Sequence, residues 1–429
     1  IAGHWEAADQ TLEAARWSAR AAHWSGVRDS RQSMRHWRRV AQLAGSLPES
    51  EETMALGLAS RVLILQYSWR LGTSHEEAEK LFLEADRMAS GSGDLVMRAQ
   101  LLLVYAAIRG LSDGDIESMA ELTSQSFALA EKSTDPVAYV TVAGGSYVYY
   151  LRGEIDRAIA GLDRAIELSG GDLSIAADTS VASPVAYFYA FKGGFRAIQG
   201  RVAEGRTLLE EGIEIALEAE DFETAGWGWQ WMTWIDYFTG DADAAAEDAR
   251  RANEFAERVG HYFSRTWSLT MIGAVELIGG NWERANEALE RAQEMADRHR
   301  TAVEGNGLRS IWRGEALRGM GDIEGATRLV RDGIEYCERR RMPANEGVGW
   351  LAMARIGLAA PDPVDAPAVR RHIARAQSMV KRTGGHLIEP LLHAELAELA
   401  RRQGDKEGCE RELRRADRLR EEMGAAPAR

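Results

Sequence analysis

From Trp282 the apolar or small positions fall at 282, 285, 289, 292 and 296. That 3,4,3,4 spacing lays one stripe along an α-helix. The opposite face is charged, with Glu283, Arg284, Glu287, Glu290, Arg291 and Glu294, and Glu287–Arg291 and Glu294–Arg298 stand at i,i+4 in the favourable order. The stretch before it, roughly 262–278, carries only Arg265 and Glu276 as charges. The pattern predicts a mostly buried inner helix that reverses at Gly280 into a half-solvated outer one. Asn281 is expected to cap the outer helix through its side chain, and Trp282 to pack into the hairpin.

The same hinge recurs at Gly153-Glu154, Gly200-Arg201, Gly240-Asp241, Gly280-Asn281, Gly321-Asp322 and Gly404-Asp405. The first five are spaced 47, 40, 40 and 41, and the last lies two periods beyond Gly321. A period near 40 predicts an all-α solenoid. Helix pairs are expected at 136–151/154–169, 183–199/202–219, 222–239/242–259, 262–279/282–299 and 304–320/322–341, then 345–359/366–383 and 387–402/405–423. Earlier helices are expected at 2–8, 11–24, 29–44, 51–71, 75–89, 94–109 and 115–131, with a turn at Gly91-Ser92-Gly93. The chain divides into irregular repeats (1–90), regular repeats (91–341) and a C-terminal set with a cap (342–429), all one continuous domain.

Small residues stand seven before the hinge (Ser146, Gly193, Thr233, Gly273, Gly314, Ala397), five after (Ala158, Gly205, Ala245, Ala285, Ala326, Cys409) and twelve after (Ala165, Gly212, Ala252, Ala292, Gly333, Ala416). Such columns let helix axes approach to the usual 8–10 Å. They resemble the small positions of the tetratricopeptide repeat (TPR), with a longer period than its 34 residues and no helix-ending proline. The resemblance implies a TPR-like right-handed superhelix of antiparallel helix pairs, whose inner helices line a concave face.

Composition narrows the function. The net charge of −14 argues against nucleic acid as the main partner. Cys337 and Cys409 are the two cysteines, which excludes a disulfide scaffold and fits a reducing cytoplasm. No run of 18 apolar residues is present, so no membrane span is expected. The chain begins at Ile1 inside an apparent repeat, which suggests a segment of a longer protein. No GxxxxGK[ST] loop, HxxxH pair or GxSxG elbow occurs, and without a sheet there is nowhere to hold a cyclase's paired metal-binding aspartates. No catalytic residue, metal or cofactor is therefore expected.

A further set of motifs runs in order along the chain: His4-Trp5-Glu6-Ala7-Ala8, Ala14-Ala15-Arg16-Trp17, Met34-Arg35-His36-Trp37-Arg38-Arg39-Val40, Trp69-Arg70-Leu71-Gly72 and Arg109-Gly110-Leu111. Phe263-Ser264-Arg265, Glu389-Pro390 with His393 and Glu395, Leu399-Ala400-Arg401, Glu410-Arg411-Glu412-Leu413-Arg414 and Glu422-Met423-Gly424-Ala425 complete it. In this register the chain resembles the C-terminal TPR-like region of bacterial class III adenylate/guanylate cyclase family proteins. Members carry an N-terminal cyclase domain and a central AAA-type or STAND-type ATPase. The resemblance implies a regulatory, non-catalytic segment acting on upstream ATPase and cyclase domains in cyclic-nucleotide signalling. The other reading is a small-molecule-sensing solenoid of a LuxR-type or STAND ATPase transcription regulator, although no helix-turn-helix follows the repeats.

The one candidate site is a row of aromatics on the inner helices. Tyr187, Trp227 and Trp267 share one repeat position, Tyr147 and Trp234 another, Tyr150 and Tyr237 a third, and Gln230 lies among them. Trp229 and Trp231 are expected to point away, between helices. Two readings stand side by side: aromatics that fill the interior of a tightly wound solenoid, or a groove that accepts a protein partner, a peptide or a small ligand. Arg196, Asp236 and Glu276 occupy one column in successive repeats, which suggests an Arg196–Asp236 ion pair between adjacent inner helices.

Overall fold

The computed structural model describes residues 1–92, 94–177, 183–361 and 363–425. All regular structure among them is helical. α1 (Ala2–Ala7) leads into the hairpin of α2 (Thr11–Ser25) and α3 (Ser30–Gly45), then α4 (Glu51–Leu71) with α5 (His75–Ser92) and α6 (Leu95–Leu111) with α7 (Ile116–Ala130). The next inner helix is split into α8 (Pro136–Val142) and α9 (Tyr147–Leu151) and returns as α10 (Ile155–Ser169). Regular pairs follow: α11 (Pro184–Ile198) with α12 (Val202–Glu218), α13 (Phe222–Thr239) with α14 (Ala242–Val259), and α15 (Tyr262–Ile278) with α16 (Trp282–His299). Then come α17 (Asn306–Gly319) with α18 (Ile323–Arg339), α19 (Pro343–Ala359) with α20 (Ala366–Thr383), and α21 (Glu389–Arg402) with α22 (Lys406–Met423). The chain is an all-α, TPR-like solenoid.

The hinges form as the repeat predicts. The six hinge glycines have φ between +71° and +87°. Where aspartate follows, as at Asp241, Asp322 and Asp405, its carboxylate accepts the backbone N–H three residues on. Asn281 corrects the expectation: it stands at the N-cap, but its side chain makes no capping bond. The small columns are close-packing sites. A Cβ on Gly193 would stand 2.7 Å from the Gly205 carbonyl oxygen, and one on Gly205 2.6 Å from the Gly193 carbonyl oxygen. Trp282 also departs from expectation: its ring lies over Gly319, at the end of the next repeat's inner helix.

Two local irregularities were not foreseen. The helix expected over 136–151 is interrupted by a 3₁₀ turn at Ala143–Ser146. Two adjacent glycines, Gly144 and Gly145, weaken the helix there. The turn expected at 91–93 does not begin at Gly91, because α5 runs on to Ser92; Gly93 lies outside the described residues.

The superhelix is wound so tightly that successive turns touch. Thr301 Oγ1 donates to the Trp69 carbonyl (2.6 Å), Arg341 pairs with Glu117 (3.1 Å), and Ser30 Oγ meets His261 Nε2. These pairs are 232, 224 and 231 residues apart, roughly five and a half repeats to the turn. The contacts extend down the stack: Gly114 packs on Arg340, Gly153 on Thr383 and Gly200 on Met423. The concave face is thereby folded into the interior.

Candidate functional site

α13 is apolar almost all round, the mark of a helix buried on every side. Trp227, Gln230, Trp231 and Trp234 follow one another at i, i+3, i+4 and i+7, so all four share a face. That face opens on a cavity in which about 200 Å³ is accessible to the centre of a water molecule. α11 adds Tyr187 and Phe191, and α15 adds Phe263 and Trp267. The opposite wall comes from the N-terminal repeats: Gln66, Trp69 and Arg70 on α4, and Gln100, Leu103 and Val104 on α6. Tyr147 and Tyr150 of α9 close a third side, reached past the Gly144-Gly145 turn.

The rings contact each other in a continuous network. Tyr187 stacks on Phe191 at 3.9 Å and meets Trp227 edge-on at 6.0 Å. Trp227 lies parallel to Trp69 at 6.4 Å, and Phe263 stands edge-on to Trp69 at 4.9 Å. Tyr150 meets Trp231 at 5.6 Å. The Tyr187 hydroxyl donates to the Gly144 carbonyl in the 3₁₀ turn at 3.2 Å. Burial pushes the Tyr147, Tyr150 and Tyr187 hydroxyls well above the ordinary phenol range, so all three stay protonated.

Two buried charge groups frame the space. Arg70 Nε donates to both Glu223 carboxylate oxygens, at 2.9 and 2.8 Å, and its guanidinium lies over the Trp69 ring at 3.9 Å. Glu223 also bonds His261 Nδ1 at 2.9 Å, and His261 reaches Ser30. This chain joins α3 and α4 to α13 and the N-terminus of α15, and each of its members is at most 3% exposed. Burial alone would raise the Glu223 carboxyl; Arg70 and then His261 outweigh it and hold it below the usual range.

On the far side, Trp267 Nε1 donates to Glu304 at 3.0 Å, while the other Glu304 oxygen has no partner. Burial pushes Glu304 up to about 7, against the opposing pull of Arg309. A raised carboxyl stabilises the fold below its unfolded value near 4.5, and that stability is lost as pH rises through 7. Glu304→Gln keeps an acceptor for Trp267 and removes the titration. Urea unfolding of both proteins from pH 5 to 8 is expected to show the wild type losing on the order of 3 kcal/mol relative to the variant. Parallel pH curves would refute the assignment.

Seven of the eight predicted groove residues, Tyr147, Tyr150, Tyr187, Trp227, Gln230, Trp234 and Trp267, line this one space. Tyr237 does not. It sits ten residues along α13 from Trp227, about 15 Å of helix rise away. There it packs on Trp312 at 4.9 Å. Trp231, expected to point outward, lines the cavity, because i+4 from Trp227 falls on the same face. Trp229 does lie outside it, under the Arg251 guanidinium.

The expected Arg196–Asp236 pair is not formed. Asp236 pairs with Arg206 of the preceding outer helix, and Arg196 with Glu204 at 3.2 Å. Each is met first by a charge from a directly packed helix. Glu276 has no ion-pair partner among the described residues. The N-terminal wall escaped the sequence reading because its contacts close over more than 150 residues, as in Arg70–Glu223. Its one local signal is that the last ten residues of α4, Val62 to Leu71, carry Arg70 as their single charge.

No protein-family model matches the chain, and no curated protein matches it either. Among solved structures it is similar to a Rap protein complexed with Competence and Sporulation Factor, at 10% identity over 98% of this chain and 99% of that one, with a TM-score of 0.42. The apo quorum sensor NprR from B. thuringiensis is similar at 12% identity over 86% of this chain and 99% of that one, TM-score 0.47. A STAND protein with a tetratricopeptide repeat sensor from Pyrococcus horikoshii is similar at 14% identity over 87% of this chain and 57% of that one, TM-score 0.42.

Proposed function

We propose that this chain is a non-catalytic sensing and regulatory solenoid that takes a ligand into its interior. The observation that carries the reading is the origin of the cavity walls. They come from α4 and α6 at one end of a superhelical turn and from α11, α13 and α15 at the other. A ligand there touches both ends at once, so it favours one docking of the N-terminal repeats over another. That docking is what a protein partner, or upstream ATPase and cyclase domains of the same chain, would read. The cyclase parent rests on the sequence resemblance alone.

The cavity's volume of about 200 Å³ favours a small ligand over a partner helix, which at about 10–12 Å across would need the turn to open. A metabolite at a hundred times its Kd is expected to add about 2.7 kcal/mol of stability, read as a raised melting temperature. Trp227→Ala combined with Trp267→Ala is expected to abolish the shift and to change partner recovery in a pull-down, with helix content by circular dichroism retained. Equal shifts and equal recovery from both proteins would sink the interior site.

A further inference from the structure

We infer that the interior accepts a neutral, flat small molecule carrying carbonyl or ether oxygens, such as an aromatic ketone or lactone; this rests on the interior being the ligand site. The argument is a count of charges, donors and acceptors on the wall. Among the described residues Arg70 is the only charged one lining the cavity, and Glu223 neutralises it through two hydrogen bonds. A charged ligand would lose its hydration and find no free counter-charge on the lining, since Glu304 stands behind the Trp267 ring rather than on the wall. The Arg70 guanidinium already occupies the faces of Trp69 and Trp227, at 3.9 and 5.9 Å, where a ligand cation would seek a ring.

The remaining polar groups lean toward donors, although the side-chain carbonyls of Gln66 and Gln230 add two acceptors. The indole N–H groups of Trp69, Trp231 and Trp234 and the hydroxyls of Tyr147 and Tyr150 have no protein acceptor among the described residues. Indoles donate only. The Gly144 carbonyl, an acceptor on this wall, is taken by Tyr187. An extended peptide brings a backbone N–H at nearly every residue and would leave many of them unpaired here. A flat ring system with oxygen acceptors satisfies the indoles and offers its faces to the aromatic walls.

Calorimetric titration of the full chain tests this with four probes: coumarin, naphthalene, 2-naphthoate and 2-naphthylmethylammonium. Coumarin is expected to bind about three- to tenfold more tightly than naphthalene, the worth of one net hydrogen bond. Both naphthalene ions are expected to bind more weakly than either neutral probe. Trp231→Phe or Trp234→Phe, which keep a ring and lose the N–H, should bring coumarin's affinity down to naphthalene's, whatever both probes lose from the smaller ring. Trp229→Phe, outside the cavity, should change neither. An ion binding as tightly as coumarin overturns the proposal, as does an advantage that survives both phenylalanine variants. Peptides binding in a Trp227-dependent way while no neutral probe binds overturns this ligand chemistry and leaves the interior site standing. Failure of every probe and peptide overturns both.

Discussion

Replacing Arg70 by methionine is expected to lower stability by about 3–5 kcal/mol, the cost of leaving a buried carboxylate without its main cation. Glu223 is buried and, once Arg70 is gone, keeps His261 as its side-chain hydrogen-bond partner among the described residues. Its carboxyl, now held low by Arg70 and His261, would rise, because the burial that opposes them remains. A raised carboxyl loses stability as pH rises, so the deficit in urea midpoint should be larger at pH 8 than at pH 5. Adding Glu223→Gln should recover a substantial part of the loss at pH 8, since the uncompensated charge goes with it. A midpoint unchanged in the single variant, or a deficit larger at pH 5, would show that the pair does not hold α4 to α13. The consequence reaches the cavity, because Arg70 and Trp69 form its N-terminal wall.

Periodicity made the repeat legible, and distance hid the way it closes. The hinge glycines and their aspartate caps set the helix ends, and α13, α14 and α16 form at the expected residues. Such features are decided within one or two helical turns of chain. Asn281 shows the limit of that local logic: the residue type fits an N-cap, yet its side chain makes no capping hydrogen bond.

The aromatic row was legible as a row. Its enclosure was not, because the opposing wall arrives from more than 150 residues away. Trp231 was misplaced by treating the groove face as a narrow stripe, when a helix buried all round presents i, i+3 and i+4 together. The Arg196–Asp236 expectation failed for a related reason. A shared repeat column fixes position along the stack but not which neighbour a long side chain meets, and Arg206 reaches Asp236 first.

Gly72→Ala is expected to part the superhelical turns. Gly72 ends α4 at φ +87° and ψ +137°, a region that side chains scarcely enter. An added Cβ would lie 2.1 Å from the His299 carbonyl oxygen, which is backbone and cannot swing aside. Strain and overlap together are expected to cost about 4 kcal/mol, and separating the turns relieves the overlap. Gly240 is the control for a positive φ without collision, in the milder left-handed helical region at ψ +19°. Its φ is +86°, but nothing lies within 4 Å of its added Cβ, so Gly240→Ala carries strain without collision. Its expected cost is about 1–3 kcal/mol with no change of shape. Small-angle X-ray scattering should therefore show an enlarged radius of gyration for Gly72→Ala alone. An interior ligand should weaken in that variant alone too, since moving α4 carries Trp69 and Arg70 off the cavity. Identical scattering from the two variants would mean that the contact between turns does not set the shape of the solenoid, and the link between interior occupancy and N-terminal docking would fall with it.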